Sequence, residues 1–259
     1  MVIVSRVISA VRTLAVVGTV SALTLTGCSG NGDSVSAGPL ITEGTLKVCS
    51  DPSYPPFEST KDGEFVGFDI DLADLIATDL SAEVEIVSTA FEGIQSGLAL
   101  DTKQCDVAIS GMSINETRAK KFDFSESYFD DSLALLVTKD SGITSLKTLG
   151  DAVVGVQQGT TGETFANDEG LKPRQFEDSA LAIQALNNGD VQAVINNIAT
   201  VEVAAKNNTS LVVADTFATE KLGVGVRAGN TELLDSVNAT IARIYEDGTH
   251  KSLVEKWMQ

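Results

Sequence analysis

The stretch "TLKVCSDPSYPPFES", residues 45–59, decides the fold. Its first six residues read as a buried strand. The rest is a loop holding three of the chain's five prolines and one of its three tyrosines. Each proline fixes its own φ, so Pro52, Pro55 and Pro56 stiffen the loop and hold Tyr54 in one place, while Phe57 anchors it in the core. In open α/β sheets ligands bind beyond the C-terminal ends of the strands, and this loop lies at such an end.

Outward from this stretch, strand and helix patterns alternate. "GFDIDLADLIATDL" (67–80) puts Leu72, Leu75, Ile76 and Leu80 on one helical face, with Asp69 as the expected N-cap. "AEVEIVS" is a strand, "AFEGIQSGLAL" a helix and "CDVAIS" a strand. "SYFDDSLALLVTKD" (127–140) is extended, and a second alternating set follows it. There "AVVGVQ" and "VQAVIN" are strands, and "GTTGETFAND" and "DSALAIQALNNG" are helices, the latter closed by Gly189. "LGVGVR" is extended again. An amphipathic helix over 230–248 and a short one carrying Trp257 end the chain. Two α/β units with parallel sheets and a helical tail are predicted.

The net charge of −18 excludes a nucleic-acid partner, which needs clustered Lys and Arg. The first residues differ from the rest. Arg6 and Arg12 precede "LAVVGTVSALTLTGC", an apolar run without an acid and too short to span a bilayer comfortably. It reads as an export signal over residues 1–27, ending in Leu25-Thr26-Gly27-Cys28. This end resembles the lipobox of bacterial lipoproteins, which implies lipidation of Cys28. The polar run after it, to residue 43, reads as a tether. Cleavage leaves 16 basic and 36 acidic residues, a net of −20. Cys49 and Cys105 then remain besides the anchor, as a disulfide or as two buried thiols.

Two further loops carry chemistry. "SGMSINETR" (110–118) follows a strand. Ser110 and Ser113 offer hydroxyls, Gly111 admits close backbone approach, and Arg118 offers a donor fork suited to a carboxylate. Taken alone, Arg118 reads better as a surface ion pair, and Tyr54, Phe57 and Phe91 read as core. In "VQQGTTGETF", Gly159, Thr160 and Thr161 lie where a strand meets a helix N-terminus, which favours anions. No Lys-Ser/Thr follows, so this is not a Walker loop. The plain alternative there is a capped glycine turn.

The run "DPSYPPFES…GEFVGFDIDLADLIA…CDVAISGMSINETRAKKFDFSESYF…VGVQQGTTGETF…LGVGVRAGN…YEDGTHKSLVEKW" resembles family 3 of the bacterial extracellular solute-binding proteins, the amino-acid receptors of ABC importers. The resemblance implies a two-lobed α/β fold of the periplasmic-binding-protein type (a type II Venus flytrap) with two hinge crossings near Asp131 and Lys221. Lobe 1 would comprise 44–131 and 221–259, and lobe 2 residues 132–220. It further implies that Arg118 clamps the ligand's α-carboxylate, that Ser113 and the Thr160–Thr161 turn support it, and that Tyr54 and Phe91 wall the ligand's stem. Asp51 and Gln157 would face the side-chain end, favouring a polar or cationic amino acid. Where family members usually carry an acid for the ligand's ammonium, this chain has Asn197. The partners implied are the permease and ATPase of an importer, and a membrane reached through the lipid anchor on the extracytoplasmic face. No metal or cofactor, and a monomer, are expected. The competing reading is an exported cyclohexadienyl dehydratase on the same fold. Against it, the only histidine, His250, falls in the C-terminal helices.

Overall fold

The computed structural model describes residues 39–171 and 173–259. The export signal, Cys28 and the tether up to residue 38 lie outside the described residues. The first unit runs β1 (Thr45–Ser50), β2 (Ser53–Tyr54), β3 (Glu58–Lys61), β4 (Glu64–Val66), α1 (Phe68–Asp79), β5 (Glu83–Ser88), α2 (Phe91–Gln95), α3 (Leu98–Asp101), β6 (Val107–Ala108) and α4 (Glu116–Ala119). The long β7 (Asp123–Thr138) leads to β8 (Val154–Gln157), α5 (Thr161–Asp168), β9 (Arg174–Phe176), α6 (Ser179–Asn188), β10 (Ala193–Asn197) and α7 (Ile198–Asn207). The equally long β11 (Leu211–Val226) returns, followed by α8 (Thr231–Glu246) and α9 (Thr249–Trp257).

The main sheet has the order β5-β1-β6-β11-β7-β10-β8-β9. β1 pairs in parallel with β5 and β6, and β8 with β9 and β10, as the alternating pattern predicts. β7 and β11 pair antiparallel over nearly their whole length, from Leu211↔Thr138 to Val226↔Asp123, and join the two halves. Register shifts interrupt this ladder at Val213/Asp215, Phe217/Thr219, Leu222/Gly223 and Gly223/Gly225. Such irregularities bend and twist a strand pair, which lets one ladder serve two separately packed halves.

Each half has its own core. Leu46, Val48, Phe57, Phe68, Leu72 and Ile76 pack with Leu233, Val237 and Ile241 of α8. The C-terminal helices therefore close the first half, although they follow the second in sequence. In the second half Leu135, Val137, Val154, Val156 and Ile195 pack on one face of the sheet, and Leu136, Val194 and Val201 on the other. Cys49 and Cys105 are fully buried and bonded as a disulfide, with Cα atoms 5.6 Å apart. It ties β1 to the residues entering β6.

Two local expectations are corrected. Asp69 does not cap α1. The N-cap is Gly67, at φ 147°, where a Cβ would lie 2.0 Å from the Phe57 carbonyl oxygen. The segment read as one helix over 90–100 is two short ones, α2 and α3, parted by Gly97 in the left-handed region at φ 83°. The N-cap of α8 is Asn230, whose side chain accepts from the Leu233 N–H. Among the described residues no helix is long and apolar enough to cross a membrane.

Candidate functional site

The loops after β1 and β6 meet the ends of β8 and β10 and the loops after them across a narrow cavity. Its walls are Asp51, Tyr54, Phe91, Ser110, Gly111, Ser113, Arg118, Gln157, Thr160, Thr161 and Asn197. The structure thus brings together every residue that the sequence analysis nominated for a ligand.

Arg118 stands on the one-turn helix α4, whose N-cap Asn115 accepts from the Arg118 N–H. The side chain is only 3% exposed. Nη1 donates to the Ser113 carbonyl at 2.7 Å and Nη2 to the Gly159 carbonyl at 3.0 Å, across the cavity. The Phe91 ring lies under the guanidinium, 5.2 Å from its centroid. Burial pulls its pKa down to about 10, which leaves it charged at neutral pH. Among the described residues no carboxylate forms an ion pair with it. A buried cation held only by carbonyls and a ring is costly until an anion joins it. Two of the five guanidinium N–H groups make these bonds, which leaves donors for a carboxylate.

Tyr54 spans the cavity from the proline loop. Its hydroxyl donates to Asn196 Oδ1 at 2.6 Å and lies 2.7 Å from Asn197 Oδ1. Gly111 lies directly behind the ring. At φ 49° and with Tyr54 Cε1 2.7 Å from where a Cβ would stand, only glycine lets the ring lie there. Asp51 Oδ1 accepts from the Ser53 hydroxyl at 2.8 Å, and Oδ2 from Gln157 Nε2 at 3.0 Å. Burial, and to a lesser degree the charge of Asp178, raise the Asp51 pKa. At the start of α5, Thr160 Oγ1 caps the Glu163 N–H, while Glu163 Oε2 accepts from the Gly159 N–H at 2.6 Å. The helix start is thus partly satisfied from within. Thr161 Oγ1 reaches to 3.5 Å from Ser113 Oγ across the cavity.

Some of the site's polar residues escaped the sequence reading. Glu58, just past the prolines, accepts from the Ser110 hydroxyl at 2.6 Å. Asp69 accepts from the Gly111 N–H at 2.7 Å and from the Tyr128 hydroxyl at 3.0 Å. Both acids are fully buried. Burial and the neighbouring Asp69 push the Glu58 pKa well up, and burial raises Asp69 to about 6. The two carboxyl groups thus fix Ser110 and Gly111 from below. The available signal was helical spacing, because Asp69 shares the buried face of Leu72, Ala73 and Ile76. Glu220 of β11 also escaped notice. Its Oε2 accepts from Ser113 Oγ at 2.8 Å and from Asn197 Nδ2 at 3.1 Å.

The family model for bacterial extracellular solute-binding proteins, family 3, matches residues 46–259. The chain belongs to that family. This family 3 protein is 35% identical over 222 residues to the L-cystine-binding protein TcyJ of Escherichia coli (strain K12), covering 83% of this chain and 82% of that one. It is 33% identical to the arginine-binding periplasmic protein of Mannheimia haemolytica, covering 82% and 90%. Among solved structures, an ancestral arginine-binding protein bound to arginine superposes with a TM-score of 0.78 at 39% identity, covering 83% of this chain and 99% of that one. The family 3 protein therefore has the two-lobed fold of periplasmic amino-acid-binding proteins. These named relatives are binding proteins, and the chain is a binding protein rather than an enzyme.

Proposed function

We propose that this chain is the lipid-anchored, extracytoplasmic receptor of an ABC importer, and that it captures a polar or cationic amino acid between its lobes and delivers it to the permease and ATPase. The observation that carries this reading is Arg118, a buried and charged fork with donors to spare and, among the described residues, no carboxylate ion pair. It fits the α-carboxylate of an amino acid, and relatives that bind cystine and arginine support the ligand class. The eleven wall residues are the proposed ligand contacts. Asp51, with Asp178 adding to its field, favours a neutral polar or positive side chain and repels an acidic one. The proposed lobes are 44–131 with 221–259, and 132–220, joined through β7 and β11, in a monomeric receptor.

A thermal-shift panel of the common amino acids and cystine tests the ligand class. One or a few polar or cationic members should raise the melting midpoint by several degrees at about 100 times Kd, where binding adds roughly 2.7 kcal/mol. Selective stabilisation by glutamate or aspartate would overturn the assignment of Asp51.

The anchor rests on Leu25-Thr26-Gly27-Cys28. The wild-type chain should fractionate with membranes and Cys28→Ala should be released or remain unprocessed. Equal solubility and equal processing of the two would remove the lipoprotein from this reading.

A further inference from the structure

Asn197 supplies no charge at the position where a binding site for an α-amino acid needs an anion. Two acids nevertheless flank it. Glu220 Oε2 accepts from Asn197 Nδ2, and Asp131 faces Glu220 directly in the β7–β11 ladder. Asp131 is only 4% exposed, its Oδ1 accepts from the Ser132 N–H, and its Oδ2 has no hydrogen-bond partner. Among the described residues neither acid makes an ion pair, and the neighbouring Lys221 is engaged with Asp130. Like charges directly opposite each other on paired strands repel. Burial raises the pKa of Asp131 to about 6, with Glu220 contributing to the rise. The hydroxyl of Tyr54 feels both acids. The two acids thus place negative charge beside Ser113 and Asn197, where Glu220 acts electrostatically on Arg118 but, among the described residues, forms no ion pair with it.

We propose that Glu220 is the counter-ion for the ligand's α-ammonium, supplying from the hinge strand the charge that Asn197 lacks, with Asp131 reinforcing the field from the strand opposite. This rests on the reading of the chain as an amino-acid receptor and adds to it the residue that selects for an α-amino group. The chemistry follows from reach. Only Oε2 of Glu220 is engaged by Ser113 and Asn197, so Oε1 remains to accept from an ammonium. Asn197 Oδ1 keeps a lone pair beside the Tyr54 hydroxyl as a second acceptor. A charge-assisted bond from ammonium to carboxylate is about twice as strong as a neutral one. The alternative is that Glu220 only clasps the cavity shut through Ser113 and Asn197.

Glu220→Gln separates the two, since the amide oxygen keeps the acceptor and removes the charge. Calorimetry would use the tightest wild-type binder among L-arginine, L-histidine, L-glutamine and L-cystine, and the same compound with hydrogen in place of each α-amino group. In Glu220→Gln the preference for the amino acid over this analogue should shrink at least about tenfold. Adding Asn197→Asp should restore most of it. An unchanged preference, whether both affinities fall together or neither does, would reduce Glu220 to a clasp and overturn the proposal. If the wild type binds none of these four and no other member of the thermal-shift panel, the receptor reading itself fails, and this assignment with it.

Discussion

Arg118→Lys should lose about 2–5 kcal/mol of ligand affinity, a fall of roughly thirtyfold to several thousandfold, although the charge is kept. The reason is geometric. Two of the guanidinium's donors are committed to the Ser113 and Gly159 carbonyls, and the plane lies against Phe91. The planar guanidinium has further N–H donors, and a planar pair of donors is what a carboxylate requires. A lysine ammonium can replace part of this set but not the planar pair, and it gives up the contact with the ring. Because the Gly159 carbonyl belongs to the facing wall, the substitution should also weaken the link between the two walls without ligand. Calorimetry on a variant with unchanged far-UV circular dichroism would read the effect. Unchanged affinity would return Arg118 to a purely structural role.

The second large effect concerns stability. Replacing Cys49 and Cys105 together by alanine opens a loop whose ends are 56 residues apart in sequence. The chain-entropy relation puts the loss at about 4 kcal/mol for a loop of this length, part of which strain or residual unfolded structure can offset. For a chain of this size each kcal/mol moves the midpoint by about 2–4 °C, so a fall of roughly 8–16 °C is expected. A reductant should lower the wild-type midpoint toward that of the double variant and leave the variant where it is. Equal midpoints for wild type and variant under oxidising conditions would mean that the bond does not constrain the folding unit.

Much of this molecule was legible in its residues, for identifiable reasons. The strand at 45–50 and the prolines after it are local signals, and so is the alternation that follows. Local signals survive because each element's apolar stripe must face a sheet. Gly111, Ser113, Arg118, Thr160 and Thr161 could be nominated because they lie just past strand ends, where the fold places ligands, whereas Asp51, Phe91, Gln157 and Asn197 were named through the family resemblance. What stayed hidden depended on pairing over distance. Glu58 and Asp69 act as a unit only because the starts of β3 and α1 meet beneath Ser110 and Gly111. Glu220 reaches the cavity only because of the register that sets it opposite Asp131. In sequence these are three acids among 36, with nothing local to distinguish Glu220. The break at Gly97 was hidden for a different reason, since an isolated glycine inside an apolar periodic segment does not reveal whether it is tolerated or ends the helix.

The central claim is that two lobes joined at β7 and β11 close on one amino acid. Tyr54, Gln157 and Arg118 make bonds across the cavity, and the account expects these to form only when the lobes close. Small-angle scattering along a titration with the tightest-binding amino acid measures that closure directly. The account predicts a saturable decrease in radius of gyration, with the lobes themselves unchanged in size, as in a rigid-body hinge motion. A radius that stays constant through saturation, in a chain shown by calorimetry to be binding, would contradict capture between closing lobes.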